Sequence, residues 1–305
     1  MADDVLAKPR QEAKTSPTEV IRLWPDGPPR PLPGVGPEIV FRAPAAGGAA
    51  ETNMLRNVSD ASLTVFRADS GRSNGTGVIV CPGGGWRILA WEHEGVDMAK
   101  WLAARGYTAF LLKYRLSATP ADPESFERNM AAISASLAGP MPAAKAPRAI
   151  GELMRDEIVL QARECAADDG RRALEIVRRR AGEWCIEPNR IGMIGFSAGA
   201  FLTADVALDP GGAPLAFAAP IYGGETRGRS VPANAPPLFT AIAQDDRLLF
   251  KIVEGLYADW SNADRPAELH IFARGGHGFG MVRRGLPADR WIDLFEAWLS
   301  DQGFA

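Results

Sequence analysis

The chain has 305 residues, of which 46% are hydrophobic and 23% charged, with a formal net charge of −3. That length supports one large core, and the near balance of charge gives no general electrostatic reason to bind nucleic acid or an anionic membrane. No stretch approaches the roughly 18 consecutive apolar residues that a membrane-spanning helix requires, and Cys81, Cys165 and Cys185 have no CxxC spacing, so they fit reduced thiols better than a disulfide framework or a metal site.

Residues 1 to 20 are polar and aperiodic and lack the apolar core of a secretory signal, so a cytoplasmic location is expected. The stretch "LWPDGPPRPLPGVGPEIVF" follows, and its prolines disallow both helix and central strand. Residues 1–45 are therefore expected as an extended N-terminal arm and 46–305 as one domain. β-rich runs then appear at "ASLTVFRA", "TGVIVCP" and "TAFLLKYRL", and later at "RIGMIGF", "LAFAAPIYG", "PLFTAIAQ" and "AELHIFARG". The later runs are continuous and apolar, the pattern of strands buried on both faces.

Helical patterns separate them: "HEGVDMAKWLAARG", "DDGRRALEIVRRRAGEW", "SAGAFLTADVAL", "LFKIVEGLYADW" and "DRWIDLFEAWLS". Such alternation predicts a mostly parallel sheet with helices on both faces. The basic run Arg178-Arg179-Arg180 falls in a helix whose Leu174, Val177, Ala181 and Trp184 share one face, which puts the arginines on the solvated side.

One connection is too long for this rhythm. After "KYRL", Asp122-Pro123 reads as an N-cap with proline at the first helical position. Phe126, Met130, Ile133 and Leu137 recur on one face until Gly139-Pro140 stops the helix, and a second pattern runs through "GELMRDEIVLQAREC". A helical insertion at about residues 120–165 is expected, either as a packed excursion or as a cap over a site.

"GFSAG" at 195–199 ends one buried strand and opens a helix. A serine in that strained turn presents its hydroxyl at the sheet edge, and only glycines fit beside it. Ser197 is the candidate nucleophile, and it needs a base. Of His93, His270 and His277, the last sits just past the final strand between glycines that free the loop to place it. His277 is the expected base, with the acid between it and the serine in chain order. "AQDD" ends in Asp245 and Asp246; Asp246 fits the strand-end D-x-x-apolar pattern and is preferred, which leaves Asp245 as a turn-forming neighbour. "CPGGGW" can offer backbone N–H groups to an oxyanion, with the amide of Ala198 as a further donor. No GK[ST] follows those glycines, and no HExxH or equivalent cluster offers a metal site, so neither a phosphate loop nor a metal is expected.

Together "VIVCPGGGW", "HEG", "FLLKYRL", "GFSAGA", "AQDD" and "GGHGFG" resemble the acetyl esterase/lipase-like branch of the α/β-hydrolase superfamily over residues 50 to 300. The resemblance implies an α/β fold with an eight-stranded, mostly parallel sheet and a Ser197–His277–Asp246 triad. It also implies an oxyanion hole at Gly84, Gly85 and Ala198. The activity it implies is serine carboxylesterase action on small, short-chain acyl esters, acetylated carbohydrates among them, with no cofactor. A peptidase of the prolyl-oligopeptidase type and a non-catalytic binding protein on the same fold are the alternatives. Two features depart from the pattern: Pro82 stands where relatives carry the histidine of an HGGG loop, and the insertion after "KYRL" exceeds the usual length.

Overall fold

The computed structural model describes residues 16–45, 51–68, 71–138 and 156–305, with residues 132–138 described by their backbone alone. In chain order the strands are β1 (Glu19–Arg22), β2 (Ile39–Pro44), β3 (Glu51–Arg56), β4 (Ser62–Phe66), β5 (Gly77–Cys81) and β6 (Ile88–Leu89). They continue as β7 (Thr108–Lys113), β8 (Ile191–Phe196), β9 (Ala218–Ile221), β10 (Leu238–Ala243) and β11 (Ala267–Phe272). Eight of them form one sheet in the order β1-β4-β7-β5-β8-β9-β10-β11, and β2-β3-β6 form a small second sheet. From β7 to β11 the pairing is parallel, whereas β4 runs antiparallel to both β1 and β7. This is the α/β-hydrolase architecture.

Burial explains the sequence pattern. Every residue of β5, β8, β9 and β10 is buried, because helices cover both faces of the central sheet. Strand β11 is an edge and is only half-buried, with Ile271 47% exposed. The helices are α1 (Asp97–Ala103), α2 (Pro123–Ala138), α3 (Glu157–Arg179), α4 (Ala198–Leu208), α5 (Phe250–Asn262) and α6 (Trp291–Asp301). Helix α4 is buried on all sides, which is why its sequence is apolar all round. Among the described residues no helix is long and apolar enough to cross a membrane.

Within the stretch read as an arm, residues 19–22 form β1 at the sheet edge, and residues 1–15 lie outside the described residues. The chain after β1 is fastened to α3. Trp24 donates its indole N–H to Asp169 Oδ1 at 2.7 Å, and Arg115 Nε donates to the same carboxylate at 2.9 Å. Arg115 and Asp169 are both buried, which the fold tolerates because the charges are paired and hydrogen-bonded.

The two helical patterns read around residues 151–165 and 168–184 are corrected by the structure: over 157–179 they are a single helix, α3, and Ala181–Trp184 is a separate 3-10 turn. Asp156 caps it by accepting from Ile158 N–H at 2.9 Å. Gly170 does not break it, and serves instead where α3 presses on α4, since a Cβ there would meet Val206 Cγ2 at 2.9 Å. Helix α2 starts as expected, with Asp122 accepting from Ser125 N–H at 2.8 Å. The Gly139-Pro140 stop lies outside the described residues, as do the side chains of Ile133 and Leu137. Phe126 buries its ring against Phe41 of the small sheet, centroids 5.1 Å apart, with the Arg56 guanidinium 4.2 Å from its ring centre.

Candidate active site

Ser197 directly follows β8 and is held at φ 49° and ψ −114°, a region that a residue with a side chain occupies only under constraint. Packing supplies the constraint. A Cβ on Gly195 would lie 2.0 Å from the Gly199 carbonyl oxygen, and one on Gly199 would lie 2.0 Å from that of Cys81. Both glycines are therefore dictated by backbone crossing backbone at the strand–helix turn.

The Ser197 hydroxyl lies 2.8 Å from His277 Nε2, and His277 Nδ1 lies 2.7 Å from Asp246 Oδ2. The tautomer that satisfies both contacts carries its proton on Nδ1, donating to Asp246 and accepting from Ser197. The Asp246 side chain is fully buried while that of His277 is 30% exposed. Asp246 also accepts from the backbone N–H groups of Leu248 and Leu249 through Oδ1, each at 3.1 Å. Burial pulls the imidazole pKa down, but the charge and hydrogen bond of Asp246 outweigh it with help from Glu94, and the net direction is up.

Asp245 has a different task. Its Oδ1 accepts from Gly275 N–H at 2.9 Å and Gly276 N–H at 2.7 Å, tying down the loop that carries His277. The other histidines stand elsewhere. His93 is buried with Nδ1 3.1 Å from Thr52 Oγ1, and His270 pairs with Glu268 at 2.6 Å on the edge strand.

The glycine loop lies beside the serine, for a Cβ on Gly83 would be 3.0 Å from Ser197 Cβ. Gly84 adopts φ 130°, and a Cβ there would lie 2.1 Å from the Ile88 carbonyl oxygen. Gly83 N–H is already donated to Glu94 Oε2 at 2.8 Å. Among the described residues the N–H groups of Gly84 and Gly85 have no acceptor. Ala198 opens α4, where first-turn N–H groups have no acceptor within the helix. Where Pro82 replaces histidine, Tyr114 supports the loop by donating its hydroxyl to the Pro82 carbonyl at 2.6 Å.

Glu94 and Tyr222 were not singled out in the sequence, yet they join the loops of this site. They lie 128 positions apart and meet at 2.6 Å; Glu94 falls within the "HEG" stretch, but nothing local pairs it with Tyr222. The chain just before the insertion, and Asp156 within it, also reach this loop. Ser117 N–H and Oγ both bond to the Trp86 carbonyl, at 2.8 and 2.9 Å, and Arg87 lies 3.7 Å from Asp156. A surface cleft of about 530 Å³ at Trp24, Arg171, Arg172 and Pro210 includes none of these residues. Among the described residues no three His, Cys, Asp or Glu side chains converge to hold a metal ion.

Residues 69–292 match the model of the dienelactone hydrolase family. An acetylxylan esterase of Xylanibacter ruminicola is 24% identical over 286 residues, which cover 81% of this chain and 48% of that protein. The chain thus spans about half the length of the curated relative it matches. An acetyl ester-xyloside bifunctional hydrolase from Caldicellulosiruptor lactoaceticus has a similar structure, with a TM-score of 0.62 at 20% identity, over 96% of this chain and 99% of that one. A thermophilic esterase from Thermogutta terrifontis gives 0.56 at 17% identity, over 90% and 95%. The two structural likenesses establish the fold.

Proposed function

The chain belongs to the dienelactone hydrolase family, and on that premise we propose that it is a serine carboxylic ester hydrolase acting on short acyl esters. The observation that carries this reading is the unbroken relay from Ser197 Oγ through His277 to buried Asp246, at 2.8 and 2.7 Å. Ser197 Oγ attacks the ester carbonyl as its proton passes to His277 Nε2. The carbonyl electron pair moves onto oxygen, which the N–H groups of Gly84, Gly85 and Ala198 hold. Collapse expels the alcohol, which takes the proton back from Nε2. Water then gives a proton to the same nitrogen and attacks the acyl carbon, and Ser197 leaves with that proton as the acid departs. The chemistry calls for no cofactor or metal.

Acetylated carbohydrates are the substrates to test first, since the acetylxylan esterase of X. ruminicola and the acetyl ester-xyloside hydrolase of C. lactoaceticus both resemble this chain. The preference for short acyl groups is supported by the approach of Ser117 to Trp86 and of Asp156 to Arg87, which brings the insertion's flanks beside the glycine loop. The test sets p-nitrophenyl acetate and palmitate beside an aminoacyl-nitroanilide, with Ser197→Ala as control. Acetate turnover that falls by on the order of 10⁴-fold in Ser197→Ala is expected. Anilide cleavage would favour a peptidase, and no turnover of any ester would refute the reading.

A further inference from the structure

Glu94 lies in a π-helical turn, Trp91–Val96, that leads into α1. Such turns place an extra residue in the helix and recur at functional sites. Its side chain is 4% exposed, and both oxygens are engaged. Oε2 accepts from Gly83 N–H at 2.8 Å, and Oε1 accepts from the Tyr222 hydroxyl at 2.6 Å. Tyr222 in turn accepts from Gly280 N–H at 3.0 Å, and its ring centre is 5.3 Å from that of His277. A Cβ on Gly83 would be 2.7 Å from Glu94 Oε2, and one on Gly280 would be 3.0 Å from Glu94 Cγ. One side chain therefore touches both loops that meet over Ser197.

A buried carboxylate is costly unless a cation answers it. Among the described residues the one basic group within ion-pair distance of Glu94 is His93, with Nε2 4.0 Å from Oε1. Stability alone gives little reason to keep such a charge where an uncharged side chain could pack. A charge that appears during reaction does. We propose that Glu94 is a positioning residue for the ester hydrolysis inferred above: it ties the glycine loop to the histidine loop through Gly83 and Tyr222, and supplies a second fixed negative charge for the imidazolium that forms on His277. The groups sharing this field are Asp246 and Tyr222 at His277, and Tyr114, His93 and Arg284 around the Glu94–Tyr222 pair. Burial, followed by the Glu94 charge, pushes the Tyr222 phenol well above its ordinary range, so it stays a donor.

The proposal rests on the hydrolase reading, and the experiment separates the two. Glu94→Gln keeps an oxygen for Gly83 and loses the charge; Tyr222→Phe keeps the charge and loses the link to Gly280. In Glu94→Gln, kcat on p-nitrophenyl acetate is expected to fall roughly 10- to 100-fold with KM little changed. The acidic limb of its kcat/KM profile should move down by about one pH unit. Tyr222→Phe should lower kcat and leave the limb in place. Proton NMR of the His277 ring, titrated in both variants, reads the same displacement without turnover. An unmoved limb and an unmoved ring titration in folded Glu94→Gln would overturn the proposal, because a merely structural role predicts that result. If Glu94→Gln does not fold, Tyr222→Phe decides, and a kcat within about twofold of wild type overturns it. Should wild type hydrolyse no ester while the ring titration still moves in Glu94→Gln, the hydrolase reading fails and the coupling of Glu94 to His277 stands.

Discussion

Asp245 and Asp246 are adjacent, chemically identical and differently employed. Asp246 faces the imidazole, while Asp245 holds the backbone of Gly275 and Gly276. Asp246→Asn should therefore lower kcat by about 10³- to 10⁴-fold, through loss of the charge and of the Nδ1–H tautomer. Asp245→Asn keeps a carbonyl oxygen for both N–H groups and should cost less than about tenfold. Esterase kinetics on the two variants check the ranking. The raised His277 pKa also has a sign. Turnover needs the neutral ring, so the acidic limb of kcat/KM should lie above the ordinary histidine value of about 6.5, and Asp246→Asn should bring it down. For stability the relation is opposite in sense. A ring whose folded pKa is raised stabilises the fold fully below the unfolded value and loses that contribution as pH rises through the folded one. Urea unfolding of wild type and His277→Ala across pH 5 to 9, roughly the span in which histidine titrates, should show their stability gap change with that slope.

At the scale of elements, local chemistry was legible and long-range partnership was not. The continuous apolar runs announced β5, β8 and β10, and the Asp-Pro step announced the start of α2. The three side chains proposed as a triad, Ser197, Asp246 and His277, could be singled out because a strand-to-helix serine turn, a strand-end aspartate and a glycine-flanked histidine each have a local signature, and they stand in contact. Strand β1 had none: "EVIR" is four residues long beside a proline-rich stretch, and only pairing with β4 makes it a strand. Gly170 lies inside the second helical pattern, and its use, contact with Val206 on another helix, has no local signature. Among the described side chains of α2 only Phe126 is buried, wedged between Phe41 and Arg56. Phe126→Ala should loosen that helix by about 3 kcal/mol. Hydrogen exchange should show faster amide exchange in α2 while the strands of the main sheet keep their protection.

For the whole molecule, the order of the sheet carries a consequence for how the protein is made. Gly77 of β5 pairs on one side with Thr108 and on the other with Ile191. Strands β4, β5 and β7 can assemble as soon as residue 113 has been synthesised, but the partner for the far side of β5 lies beyond residue 190. At about 5–20 residues per second, a ribosome needs roughly 4 to 15 s to cross that interval. Throughout it the nascent chain carries an open, apolar strand edge, the kind that recruits other chains. Ribosome-stalled chains ending near residue 150 should be captured by a holdase chaperone, and released full-length protein should escape it. Equal capture of both would show that the edge is shielded during synthesis. Ser197 directly follows β8, the strand that covers this edge of β5, so the serine proposed as nucleophile is made in the same stretch of translation, while β8 in turn waits for β9.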